Sequence, residues 1–216
     1  MNLPNKITIT RIVIIFVMLL TIGIIELVHY FVPSFLITSV GNTDINWLYL
    51  ILAIFFVVAS ITDFLDGHLA RKYNQVTNLG KFLDPIADKI LVNSMLILLL
   101  IVPGVIASPE RQMVLNVFCV IILVARDLVI DGMRLMAAKK NIVVAANMFG
   151  KVKTVLQMIA IIFILLNDYP LRLIPNYASL GAFQIGYIVM YLATIASIVS
   201  AAIYIYQNRQ VFKGND

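Results

Sequence analysis

Six stretches of the chain are predominantly apolar: residues 12–33, 47–64, 90–106, 113–138, 152–167 and 183–206. Each is close to the roughly 20 residues that a helix needs to cross a bilayer core. The runs are continuous rather than alternating, so they predict helices and not the strands of a membrane barrel. Before the first run, MNLPNKITIT carries Pro4 as a breaker and Asn5 or Thr8 as candidate caps, which predicts a short segment lying on the membrane surface. The linkers are short, with no low-complexity tract and no fixed-period repeat. The pattern predicts an all-α integral membrane protein: six transmembrane helices after a short N-terminal surface segment, in a single domain over residues 1–216.

Composition agrees, with 62% hydrophobic and only 12% charged residues in 216. A net charge of +5 raises nucleic acid as a partner, but its distribution gives another reading. With a cytoplasmic amino terminus, the cytoplasmic segments and adjoining helix ends hold Lys6, Arg11, Arg71, Lys72, Lys81, Lys89, Arg126, Arg134, Lys139, Lys140, Lys151, Lys153, Arg209 and Lys213, and only Arg111 and Arg172 fall outside. That is the positive-inside bias of a multi-pass protein of the cell membrane, with some attraction for anionic membrane lipid and no nucleic-acid role. The first run lacks a small-residue cleavage site and reads as a retained helix rather than a signal peptide. Cys119 stands alone and implies packing, not a disulfide. His29 and Trp47 suit interfacial anchors. Ala193, Ser197 and Ala201 form a small stripe suited to close helix packing.

The segment TDFLDGHLARKYNQVTNLGKFLDPIADK, residues 62–89, departs from this pattern because it gathers four aspartates. Each costs about 2.5–3.5 kcal/mol at the centre of a membrane helix. Asp63 and Asp66 are three apart and Asp84 and Asp88 four apart, so each pair shares a helix face. The intervening residues, with Gly67, Asn74, Asn78 and Gly80, suit a turn at the cytoplasmic surface. Both pairs then lie at one depth on adjacent helix ends. Four converging carboxylates must share protons, pair with Arg or Lys, or bind cations. Oxygen-only ligands favour a hard ion such as Mg²⁺ or Mn²⁺ over zinc. Snorkelling charges paired with Arg71, Lys81 and Lys89 account for one such pair, but not for two with small residues beside them. His68, alone beside the pair, fits a surface residue.

As a pattern, residues 63–88 read D-x2-D-G-x2-A-R-x8-G-x3-D-x3-D. This resembles the signature of the CDP-alcohol phosphotransferases, integral membrane enzymes of phospholipid synthesis, at all eight fixed positions: Asp63, Asp66, Gly67, Ala70, Arg71, Gly80, Asp84 and Asp88. The resemblance implies that an alcohol attacks the diphosphate of a CDP-linked lipid and releases CMP. It implies two divalent metals, Mg²⁺ or Mn²⁺, on Asp63, Asp66, Asp84 and Asp88, with Asp88 also the catalytic base. It further implies a nucleotide pocket shaped by Asp66, Gly67, Ala70, Arg71 and Gly80, and a homodimer.

Downstream, Arg126 and Arg134 lie eight apart near one helical face, followed by Lys139, Lys140, Lys151 and Lys153. A neutral acceptor does not require so many cations, whereas a phosphate does. Arg126 and Arg134 lie far enough into the fourth run to need a partner, either an acceptor phosphate or Asp127 and Asp131. Lys139 and Lys140 are accounted for by topology. The stretch from Arg126 to Gln157, with NLPNKITITR at the start, is similar to the bacterial phosphatidylglycerophosphate synthase branch of the family. That likeness implies CDP-diacylglycerol as donor, glycerol 3-phosphate as acceptor, and Arg126, Arg134, Lys151 and Lys153 as candidates for the acceptor phosphate. Inositol phosphate, or phosphatidylglycerol as in a cardiolipin synthase, is the alternative acceptor. A divalent-cation or proton-coupled transporter is the alternative class, although its acids usually lie near the midplane within repeated halves. The sequence assigns no catalytic or substrate-binding role to Asn5, Thr8, Arg11 or His68.

Overall fold

The computed structural model describes residues 3–31, 47–72, 78–106, 115–140 and 148–212; within its helices the side chains of residues 3–8, 63–72, 78–82 and 101–106, together with His29, are among those outside that description. Among the described residues the chain forms six long helices and no strand: α1 (Leu3–Phe31), α2 (Trp47–Lys72), α3 (Asn78–Ile106), α4 (Val117–Lys139), α5 (Met148–Leu165) and α6 (Ile185–Gln207). Short 3₁₀ segments at Leu171–Leu173, Tyr177–Phe183 and Arg209–Phe212 follow α5 and α6.

Each apolar run is mostly α-helical where described, with residues 115–116, 166–167 and 183–184 falling outside the α-helices, and several helices are longer than their runs. Residues 3–11 continue into α1 without a break, so the expected separate lead-in is corrected. Pro4 is the second residue of the helix, where no intrahelical acceptor awaits its missing N–H and its fixed φ suits the first turn. α2 extends past residue 64 to Lys72, and α3 begins at Asn78, well before residue 90. Leu, Ala, Arg and Lys are good helix formers, so the helix persists where the apolar character stops. The turn between α2 and α3 is thereby confined to residues 73–77, which lie outside the described residues. At α4, Asn116 supplies the start signal: its Oδ1 accepts the Phe118 N–H at 2.9 Å and satisfies a donor that the first turn leaves open.

The chain divides into two compact units. In the first, Met1–Val114 with Ile164–Pro170, α1 packs against α2 and α3, and α2 against α3. One stripe per helix is buried: Ile15, Met18 and Ile22; Leu52, Phe56 and Ala59; Ala87, Leu91 and Met95. The opposite faces expose Phe16, Leu20 and Ile24, or Ile54, Val58 and Ile61. A helix apolar on both its buried and its exposed face suits a bilayer rather than water. In the second unit, Leu115–Phe163 with Leu171–Asp216, α4 packs against α6. Ile130 and Met133 of α4 meet Tyr204 of α6 in its core. Ala193 and Ser197 are buried, in keeping with a close-packing stripe, and Cys119 is a buried free thiol.

Among the described residues, Met148–Leu165 and Ile185–Gln207 are long and apolar enough to cross a membrane. Ile9–Ile24 and Trp47–Thr62 are shorter apolar helical stretches.

Candidate active site

The expected carboxylate cluster belongs to the first unit. α2 is helical through Lys72, so positions 63, 66, 67 and 70 recur along one side of its backbone at spacings of three and four. The side chains of Asp63, Asp66, Gly67, Ala70, Arg71 and Gly80 lie outside the described residues. Asp84 and Asp88 are described. They stand one turn apart on α3, each partly exposed, on either side of the fully buried Ala87. Pro85 between them offers no N–H to the Lys81 carbonyl, yet the helix continues through it.

Asp88 has a partner that the sequence did not announce. The Arg11 guanidinium on α1, fully buried, donates through Nη1 to Asp88 Oδ1 at 2.7 Å. The Asp88 side chain remains 44% exposed, so it is tethered on one side and reachable on the other. The planar fork fixes the orientation of the carboxylate more tightly than an ammonium would. The available signal was positional: Arg11, Ile15, Met18 and Ile22 form one buried stripe on α1, with Arg11 at its head. Arg11→Lys is expected to keep the charge but lose the fork, lowering kcat more than it raises the donor KM. Arg11→Met should in addition destabilise the folded protein by about 1.5–3 kcal/mol, the scale of a hydrogen bond between charged groups. Steady-state kinetics and thermal unfolding in detergent check both, and an unchanged kcat in Arg11→Lys rules out an orienting role.

Among the described residues no three His, Cys, Asp or Glu side chains come together. Asp84 and Asp88 supply half of the expected quartet, both with hard oxygen donors spaced one turn apart. That donor set fits Mg²⁺ or Mn²⁺ rather than zinc.

The basic residues belong to the second unit. Asp127 accepts from three donor contacts: Lys153 Nζ at 2.9 Å to each carboxylate oxygen, and Arg126 Nη1 at 3.0 Å. Arg126 Nη2 donates to Ser200 Oγ on α6 at 2.7 Å. Gly150, near the start of α5, adjoins this pair: a Cβ there would sit 3.3 Å from Arg126 Nη2, a tight contact, and 3.6 Å from Ser200 Oγ, an ordinary one. Arg126 and Lys153 thus both pair with the one carboxylate of Asp127. Arg134 is not in this cluster. It is exposed further along α4, with Nε donating to Tyr204 OH at 3.2 Å and its guanidinium carbon 5.8 Å from that ring's centroid. Lys151 is exposed on α5, as are Lys139 and Lys140 near the end of α4. The sequence raised Asp127 as a partner for Arg126, but gave no sign of Ser200, Tyr204 or Gly150, which tertiary packing brings in.

A family model described as CDP-alcohol phosphatidyltransferase matches residues 1–199. The chain belongs to this family. As CDP-alcohol phosphatidyltransferases its members are enzymes of group transfer, and this membership displaces the transporter alternative. A Bacillus subtilis protein named CDP-diacylglycerol–glycerol-3-phosphate 3-phosphatidyltransferase is 37% identical over 212 residues, 98% of this chain and 97% of that relative. Relatives of the same name from Mycoplasma pneumoniae and Rickettsia bellii are each 36% identical, covering 98% and 94% of this chain and 89% and 93% of their own lengths. Among CDP-alcohol phosphatidyltransferases, then, this chain is alike along nearly its whole length to those that carry this name. Its apolar helices fit association with a membrane.

Proposed function

We propose that the chain transfers the phosphatidyl group of CDP-diacylglycerol to glycerol 3-phosphate, giving phosphatidylglycerophosphate and CMP. The observation that carries this reading is the near full-length likeness to relatives named for that reaction. The paired cations Arg126 and Lys153 support an anionic acceptor over a neutral one.

In this reading the chain is a six-span protein of the cell membrane, working as a homodimer with its site at the cytoplasmic face. Asp63, Asp66, Asp84 and Asp88 hold two divalent ions, Mg²⁺ or Mn²⁺. Bound there, such ions supply a clamp on the diphosphate and offset charge on the departing CMP. Asp66, Gly67, Ala70, Arg71 and Gly80 bound the nucleotide. The protein's own chemistry is positioning and proton transfer. The Asp88 carboxylate accepts the proton of the attacking hydroxyl while Arg11 fixes its orientation. Arg126 and Lys153 hold the acceptor phosphate, with Arg134 and Lys151 contributing from the more exposed side. No covalent enzyme intermediate is required, because the hydroxyl attacks the phosphorus bearing the diacylglycerol and CMP leaves.

Radiolabelled CMP release from CDP-diacylglycerol, measured with glycerol 3-phosphate, inositol phosphate and phosphatidylglycerol in turn, tests the proposal. Turnover that depends on glycerol 3-phosphate supports it, and release with another acceptor alone refutes it. Within the same assay, Arg126→Ala and Lys153→Ala are expected to raise the glycerol 3-phosphate KM, each by the roughly 1.5–3 kcal/mol of a charge-assisted contact. The CDP-diacylglycerol KM should change little. Unaltered acceptor binding in both variants assigns the cluster a structural role around Asp127.

A further inference from the structure

Near the basic cluster on α4, α5 and α6 the second unit holds buried polar groups with no hydrogen-bond partner among the described residues. Gln157 is 0% exposed, and neither its Oε1 nor its Nε2 has a hydrogen-bond partner among the described residues. Ser197 is 0% exposed with its Oγ in the same condition, and so is buried Arg126 Nε, although both terminal nitrogens of that guanidinium are bonded. These groups share one region of the second unit. Gly150, Lys153 and Gln157 recur along one face of α5. The Gly150 end of that face abuts Arg126 and Ser200, and Lys153 reaches Asp127. Ser197 lies one turn from Ser200 on α6. The Gly150–Lys153 part of this face is therefore turned toward α4 and α6, and Gln157 follows one turn along it.

An unsatisfied buried amide is costly, and helix packing offered many ways to place a methionine or leucine there instead. The chemistry of the set also has an order. Cations suit a phosphate, whereas an amide that both donates and accepts, or a hydroxyl that does the same, suits an alcohol. One helical turn, about 5.4 Å, separates the two kinds of group along α5. That separation is comparable to the distance from the phosphate to the middle hydroxyl of a three-carbon phosphate ester.

We propose that Gln157, assisted by Ser197, is a specificity-determining subsite that binds the non-reacting C2 hydroxyl of a polyol phosphate whose phosphate is held by Arg126 and Lys153. This rests on the acceptor assignment above and deepens it. A pocket that hydrogen-bonds a substrate hydroxyl rejects an analogue lacking it, because its own polar groups are then left unpaired.

The test compares glycerol 3-phosphate with 3-hydroxypropyl phosphate, which lacks only the C2 hydroxyl, in the full-length protein with CDP-diacylglycerol as donor. Wild type is expected to favour glycerol 3-phosphate in kcat/KM by about tenfold to a hundredfold, the effect of stranding one buried neutral polar group. Gln157→Met, close in size and unbranched, should reduce kcat/KM for glycerol 3-phosphate far more than for the analogue, so that the ratio falls toward unity. Gln157→Asn, which keeps the amide but retracts it by one methylene, should give an intermediate ratio. It also provides the measurement if the methionine variant does not fold. Thermal shifts induced by each acceptor provide a binding readout independent of turnover. A ratio that the variants leave at its wild-type value overturns the proposal and assigns the buried amide to water. The wild type alone is equally decisive: equal use of the two acceptors overturns the subsite while leaving the reaction intact. Absence of any turnover with glycerol 3-phosphate overturns the acceptor assignment itself.

Discussion

Asp88→Asn should lower kcat by at least the roughly 10²–10⁴-fold that a positioned general base contributes, while CDP-diacylglycerol still binds. The substitution preserves size and keeps Oδ1 as an acceptor for Arg11, but removes the negative charge and the capacity to take the hydroxyl proton. The environment makes this more demanding than a surface substitution. Arg11 is fully buried at 2.7 Å from the carboxylate, so Asp88→Asn leaves that guanidinium with a weaker partner and no counter-charge from this position. Some loss of stability is therefore expected alongside the loss of turnover. Asp88→Glu separates the two effects: it restores charge, displaces the oxygens by a methylene, and should recover stability more fully than kcat. CMP release, donor affinity and thermal unfolding, measured on the same detergent-purified samples, are the observables. Near-normal kcat in Asp88→Asn would place the base elsewhere and leave Asp88 a metal ligand at most. A fall in kcat that simply follows the fall in stability across Arg11→Lys, Asp88→Asn and Asp88→Glu would make the pair structural.

The parts of the proposed site legible in the sequence are those encoded by short-range spacing, of which the structure describes the helical backbone that carries them. Asp63, Asp66, Asp84 and Asp88 sit at helical intervals within a fixed eight-residue pattern, and a pattern of that kind survives translation into three dimensions because one helix carries each pair. Helix ends were harder. Hydropathy marks the stretch suited to lipid, whereas the helix itself is limited by backbone propensity, so α2 and α3 run past their apolar segments on both sides of the turn. The partners that hold the functional groups were beyond reach for a different reason. Arg11 and Asp88 are 77 residues apart, Arg126 and Ser200 74, and Arg134 and Tyr204 70. Only packing between helices brings such pairs together, and single-sequence periodicity carries no information about which faces meet. Asp127 was visible as a partner for Arg126 because it is its neighbour. Its simultaneous hold on Lys153, from another helix, was not.

Removal of divalent cations should abolish turnover altogether, the largest effect expected of any treatment. In the proposed site, Asp63 and Asp66 of α2 and Asp84 and Asp88 of α3 would receive a diphosphate that is itself anionic. Like charges raise the cost of ionising one another, and a second anion cannot approach them without compensation. Arg11 offsets one charge at Asp88, which does not meet the demand of a quartet plus a diphosphate. Hard cations do, and Mg²⁺ characteristically takes one or two protein carboxylates and completes its shell with water and phosphate oxygens. Excess EDTA should therefore reduce CMP release to background, and Mg²⁺ or Mn²⁺ added beyond the chelator should restore it. A second readout avoids dependence on activity. A cation that binds the folded state stabilises it by about 2.7 kcal/mol at a concentration one hundred times its Kd, so the melting temperature should rise saturably with Mg²⁺ or Mn²⁺. Asp84→Asn should weaken that response because it removes a partly exposed carboxylate one turn from Asp88. Full turnover in excess chelator, on protein verified to be free of metal, would remove the cations from the reaction. The aspartates would then have to share protons or find their counter-charges within the chain.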